Sequence, residues 1–265
     1  MPDLPDIPAQ DWQGQPITPQ TCSQCAHAEL RHDPRQPCEP ARSCVQDVYA
    51  RRIDRFFRHH PALANGYLAH PYFEVRAIAV RHADLFRLSA LLNDADETVR
   101  LQLALRLPQR LLRTLLHDPH REVRIRVAHR IDATELPALV QDPDYQVRHI
   151  VAQRLPVPLL PMLMHDADLQ VRLAVAQRLL MPALWRILQD PAAEVRRVLA
   201  QRLPVPLLDV LAKDVDWTVR WEVAGRAEGA TLHALCKDTE PEVRELAASR
   251  ALHIAPCTEQ EPSHV

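Results

Sequence analysis

Four cysteines fall within 23 residues near the N-terminus, Cys22, Cys25, Cys38 and Cys44, in the spacing C-x2-C-x12-C-x5-C. Four thiolates complete the ligand set of one zinc ion or of an iron–sulfur cluster. Structural zinc prefers paired C-x2–4-C knuckles. Only the first pair here has that form, the second is wide, and no glycine follows Cys25. Iron–sulfur clusters accept more varied spacings, so the pattern leans toward iron and sulfide while zinc stays open. His27 and His32 lie among the cysteines as bystanders, since four thiols already complete either site. Cys236 and Cys257 are remote; Cys236 occupies an apolar column, Leu92, Leu116 and Leu188 among its members, and reads as a small core residue.

A metal reading also needs a reducing compartment. The first residues, MPDLPDIPAQDW, carry acids and prolines where a secretory signal would have basic residues and an apolar run. No apolar stretch approaches the roughly 20 residues that span a bilayer. The expectation is a soluble cytoplasmic protein without a membrane partner. Basic residues crowd the module: Arg31, Arg35, Arg42, Arg51 and Arg52. They could offset the negative charge of a four-thiolate cluster. They could also be the solvated face of a helix over 43–59, whose Val45, Val48, Ile53, Phe56 and Phe57 would pack as a cap on the rest of the chain.

Beyond the cysteine module the chain is periodic. Val-Arg recurs at 75, 99, 123, 147, 171, 195, 219 and 243, at intervals of 24 residues throughout. A fixed period of this size marks a solenoid. Ordinary leucine-rich repeats share the length but need an alternating Leu-x-Leu strand and an Asn or Cys column, both missing here. Counting from the Val, apolar residues fall at offsets 0, 4, 5 and 8, one face of an α-helix. Pro108, Pro156 and Pro204 at offset 9 end it. The next apolar group, such as Leu159, Leu160, Leu163 and Met164, has room for about two turns and predicts a short α or 3-10 element. Helices this short are marginal alone and need stacking on neighbouring repeats.

Charge follows the same period. Thirty of the 32 basic residues are Arg. One Arg column stands at offset 1 and another at offset 7 (Arg106 to Arg250), both inside or beside the apolar stripe. Guanidinium groups placed there need partners. They predict ladders to the Asp column (Asp94, Asp118, Asp142, Asp166, Asp190, Asp214, Asp238) and to free helix-end carbonyls of neighbouring repeats. The alternative is an anion-binding stripe. The Asp column itself, followed by Pro119, Pro143 and Pro191, reads as a row of helix N-caps. Offset 6 (His129, Gln153, Gln177, Gln201) faces solvent, and Trp217 with Trp221 marks either a partner site or core or cap packing.

The unit D-P-x-x-x-V-R…A-x-R-L-P-x-x-L-L-x-x-L-L, behind a four-cysteine cluster, resembles the leucine-rich repeat variant iron–sulfur proteins of nitrogen-fixing bacteria over nearly the whole chain. The resemblance implies an all-α, right-handed superhelical solenoid of alternating α and 3-10 helices. It also implies a [4Fe-4S] cluster held by Cys22, Cys25, Cys38 and Cys44. The organisation expected is a cluster domain and cap at 1–60, repeats over 61–255 and a disordered tail at 256–265. His70 breaks the Asp column, so the first repeat is atypical.

Function is expected outside catalysis. Four glycines (Gly14, Gly66, Gly225, Gly229) make no phosphate-cradling loop, and no nucleophile elbow or metalloprotease motif occurs. Four cysteines leave no iron open for substrate. Net charge is −2 at a sequence pI near 6.7, which argues against an indiscriminate polyanion binder. The leading expectation is a protein-interaction scaffold whose cluster transfers or senses electrons. A nucleic-acid-binding regulator using surface Arg, or a purely structural cluster, are the alternatives.

Overall fold

The computed structural model describes residues 7–254. The expected tail at 256–265 and Cys257 lie outside the described residues. The chain divides into two compact units, to Leu139 and from Val140.

In the first unit an irregular N-terminal module leads into helix Ala50–His59. The helix expected over 43–59 begins only at Ala50; its Ile53, Phe56 and Phe57 are fully buried, and in the irregular stretch before it Val45 is nearly so and Val48 partly exposed. This helix packs on Phe73–His82, the first helix of the repeat series. Helices Phe73–His82, Glu97–Arg106 and Arg121–Arg130 then alternate with 3-10 segments Leu85–Leu91 and Leu136–Leu139 and a mixed segment, Gln109–Leu112 running into Arg113–Leu115. The second unit repeats the scheme with helices Tyr145–Arg154, Leu169–Arg178, Ala193–Arg202, Trp217–Ala224 and Pro241–Ile254. Its intervening 3-10 segments are Val157–Leu163, Ala183–Ile187 and Val205–Leu211; the last such position, Gly229–Leu235, is α-helical. Among the described residues there are isolated β-bridges and no strand.

The repeat explains its own elements. Each Val at offset 0 is fully buried within its unit. The helix ends where the Leu155 N–H closes onto the Val151 carbonyl and Pro156 follows, which can neither donate nor continue. In the second element Leu160 and Leu163 are buried while Leu159 and Met162 are exposed. Three-residue spacing is the period at which a 3-10 helix eclipses its side chains. Leu88 with Leu91 and Leu208 with Leu211 repeat the arrangement.

The Arg ladders form in both units. Arg76 and Arg100 bind Asp94 and Asp118, and in the second unit Arg148, Arg172, Arg196 and Arg220 bind Asp166, Asp190, Asp214 and Asp238, each through Nε and Nη2. Nη1 of the same Arg reaches back to carbonyls at the start of its own repeat, as Arg148 does to Asp142 at 2.7 Å. The offset-7 column caps helix ends of the preceding repeat. Arg178 Nη1 and Nη2 donate to the Ala152 and Leu155 carbonyls at 2.6 and 2.8 Å, and Arg106 donates to the Val80 and Ala83 carbonyls.

One expectation is corrected. The Asp column does not supply the N-caps. Each helix starts two residues before the Val, so the N-cap lies at offset −3, where Asp96, Asp168 and Asp216 accept the N–H two residues on. The column at offset −5 lies outside the helix. Asp166 Oδ1 accepts the Asp168 N–H at 2.9 Å, closing an Asx turn, while both its oxygens face Arg148. One smaller reading also changes: Cys236 is only partly buried. Trp217 and Trp221 are exposed. No described helix is long and apolar enough to cross a membrane.

Candidate metal centre

Turns deliver the four thiols. Cys22 sits on helix Pro19–Ser23, started by a capping box in which Thr18 and Thr21 exchange bonds and Pro19 holds the first turn. The chain then tightens, and the Cys25 N–H returns to the Cys22 carbonyl at 3.3 Å. After 3-10 segment Ala28–His32, Asp33 Oδ1 takes the N–H groups of Arg35 and Gln36, and the Cys38 N–H closes onto the Leu30 carbonyl at 3.0 Å. Glu39 and Ser43 exchange backbone bonds at 2.9 Å around Ala41, whose φ of 63° is left-handed. That turn brings Cys44 back, its N–H bonded to the Arg52 carbonyl at 3.2 Å.

All four cysteines line one cavity of about 230 Å³. Cys22, Cys38 and Cys44 are buried and Cys25 is partly exposed. Among the described residues no three His, Cys, Asp or Glu converge as ligands of a single metal ion; the thiols stand around a space instead. Cys38 and Cys44 are hydrogen-bonded, which lowers the Cys38 pKa and, with burial, raises that of the donor Cys44. Burial also pushes Cys22 up, with Cys44 adding to it and Arg31 opposing. Tyr67 is pushed up to about 12, by burial first and then by the negative charge of Cys25, Cys44 and Cys38.

Among the five arginines of the module only Arg31 lines the cavity. Arg42 pairs with Glu39 in solvent, Arg35 and Arg51 are exposed, and Arg52 is buried against Asp47. His27 lines the cavity, hydrogen-bonded to the Tyr67 hydroxyl and packed on Phe56, with burial lowering its pKa. His32 is exposed and not part of the lining. Tyr67, Asp47 and the wall formed by Asp11, Gln15, Pro16 and Ile17 were not signalled by cysteine spacing.

Fold and site define an all-α repeat protein with a four-thiol centre ahead of its repeats. Residues 9–66 match the family described as "LRV protein FeS4 cluster", and residues 97–120 and 145–168 match "Leucine rich repeat variant". A solved structure described as a leucine-rich repeat variant with a novel repetitive protein structural motif is 43% identical, covering 86% of this chain and 97% of that one at a TM-score of 0.81. An uncharacterized 27.7 kDa protein in the nifB 3′ region of Rhodobacter capsulatus is 44% identical over 108 residues. That match spans 41% of either chain, so the chain covers about two fifths of this curated relative's length. The chain belongs to the leucine-rich repeat variant iron–sulfur protein family, and its N-terminal module is the family's cluster-binding domain.

Proposed function

We propose that Cys22, Cys25, Cys38 and Cys44 hold a [4Fe-4S] cluster and that the protein is a cytoplasmic, non-enzymatic scaffold passing or sensing electrons for a protein docked on its repeats. The observation that carries this is four thiols placed around one cavity, with Arg31 in its lining to offset cluster charge. The donor set fits the group: four soft ligands, three of them buried, with no fifth side chain needed. Such a cluster supplies one-electron transfer. The surface for a partner is the helix face, where Tyr145, Trp217 and Trp221 stand exposed.

The nucleic-acid alternative is weakened because Arg of both columns, Arg100, Arg148 and Arg178 among them, are engaged by carboxylates or carbonyls. A purely structural cluster remains the second reading, favoured by the burial of three of the four thiols. The deciding experiment is anaerobic purification with iron, sulfide and zinc analysis, followed by dithionite reduction. About four irons and four sulfides with reversible bleaching support the redox role. Iron that resists reduction supports the structural reading, and stoichiometric zinc removes the cluster.

A further inference from the structure

Resting on that cluster reading, we propose that residues 7–17 are a strap closing one side of the cavity, and that Arg52 and Asp47 are positioning residues that hold it shut. The strap folds on itself. Asp11 N–H bonds the Gln15 carbonyl at 2.8 Å, Ile17 N–H bonds the Ala9 carbonyl at 2.9 Å, and Asp11 Oδ1 takes the N–H groups of Gln13 and Gln15. Gly14 turns it with a φ of +80°, a conformation glycine adopts without steric cost. Its inner side, at Asp11, Gln15, Pro16 and Ile17, is one wall of the cavity.

Trp12 anchors the outer side of the strap by stacking on Tyr72 with His70 edge-on, and polar bonds hold its remaining length. Arg52 Nη2 donates to the Ile7 carbonyl at 2.6 Å, and Nη1 to the Pro8 carbonyl at 3.4 Å and to Asp47 Oδ2 at 3.0 Å. Asp47 is fully buried, and the Val48 N–H reaches the Gln10 carbonyl at 2.9 Å. A buried ion pair is weak evidence for stability and is better understood as fixing one arrangement. The arrangement fixed here is the strap's, because two of the three guanidinium bonds go to it. The Arg52 carbonyl meanwhile holds the Cys44 N–H. One residue therefore ties the wall to a ligand's backbone. A segment held by one ring stack and a few polar bonds has low local stability, so the clamp governs how often water and small molecules reach the cluster, which tunes its lifetime and potential.

The test is the rate of iron loss to a ferrous chelator under anaerobic conditions, read with far-UV circular dichroism of the full chain. Arg52→Met and Asp47→Asn remove bonds to charged groups and should speed iron loss roughly tenfold or more, with melting of the repeats unchanged. Gly14→Val is the independent variant. A Cβ there meets nothing within 4 Å, so the substitution strains only the turn. It should speed iron loss too, and it decides the matter if Arg52→Met retains no iron. Wild-type rates in Gly14→Val and Asp47→Asn overturn the strap. So does an equal acceleration by Arg42→Ala, whose ion pair with Glu39 is exposed and involves no residue of the strap or its clamp. If wild-type protein carries no iron, the cluster reading fails separately. Iodide quenching of Trp12, measured against Trp12→Phe, then decides the strap, since Arg52→Met must free the half-covered ring from Tyr72 and raise its quenching above wild type.

Discussion

Arg148 and Asp166, 18 residues apart, meet in two parallel bonds, Nε to Oδ2 at 2.7 Å and Nη2 to Oδ1 at 2.9 Å. In six helices the 24-residue period joins the Arg to the Asp that opens the next repeat. The planar guanidinium serves both a carboxylate and, through Nη1, the Asp142 carbonyl, a geometry a lysine ammonium cannot reproduce. This accounts for the absence of Lys from the ladder column.

Both partners are largely buried, with side-chain exposures of 14% and 6%. Removing one leaves the other unpaired. Arg148→Ala and Asp166→Ala should each cost about 2–4 kcal/mol, and the double mutant should lose far less than the sum. Urea denaturation of the four proteins measures the coupling, and strict additivity would refute the ladder.

The cap and the ladder separate by chemistry. Asp168 accepts the N–H groups of Gln170 and Val171. Asp168→Ala should cost about 1 kcal/mol and Asp168→Asn much less. Asp166→Asn, isosteric but uncharged, should instead cost more than Asp168→Asn because Arg148 keeps its charge and loses its partner. Equal melting of the two Asn variants would contradict the corrected roles.

Acid should unfold the protein in a defined window. Burial raises the Asp166 pKa, but bonds from Arg148 and the Asp168 N–H outweigh it, and the net shift is downward. Asp238, held mainly by Arg220, is also lowered. A carboxyl depressed on folding adds stability that is complete above its unfolded pKa of about 3.9. It is lost as pH falls through the folded value. Stability from these pairs should be flat from pH 7 to about 5 and fall below about 4, as circular dichroism across pH 2–6 would show.

Metal and repeats should come apart in experiment. Ser at Cys22, Cys25, Cys38 or Cys44 should lower bound iron, whereas Cys236→Ser should not. Helicity of the repeats should survive chelation, because their core is aliphatic and contains none of these thiols. Collapse of the whole far-UV signal on iron removal would mean that the repeats depend on the cluster.

Nucleic-acid binding should be weak. With the two Arg columns engaged, a DNA duplex should show no binding at about 150 mM salt and only the steep salt dependence of a few phosphate contacts below it. Fluorescence anisotropy across salt concentrations tests this directly.

The sequence by itself determined the helical repeat, the C-terminal helix ends and the ladders, because each is a periodic constraint that 24-residue spacing writes out repeatedly. A buried Val and an Arg beside an apolar stripe need the same local physics in every copy, and a Pro ends the helix in three of them. It also nominated the four cysteines, whose shared chemistry is visible at any separation. The Asp column passes for a row of N-caps in sequence because Asp before Pro is as compatible with an Asx turn as with a cap. Only the placement of Arg148 opposite Asp166 decides between them. The surroundings of the thiols were decided in three dimensions alone. Arg52 meeting Ile7 across 45 residues, and His27 meeting Tyr67 across 40, are single encounters. A contact made once leaves no period to read, and whether an Arg faces a cluster or clamps a strap depends on which chain folds against it.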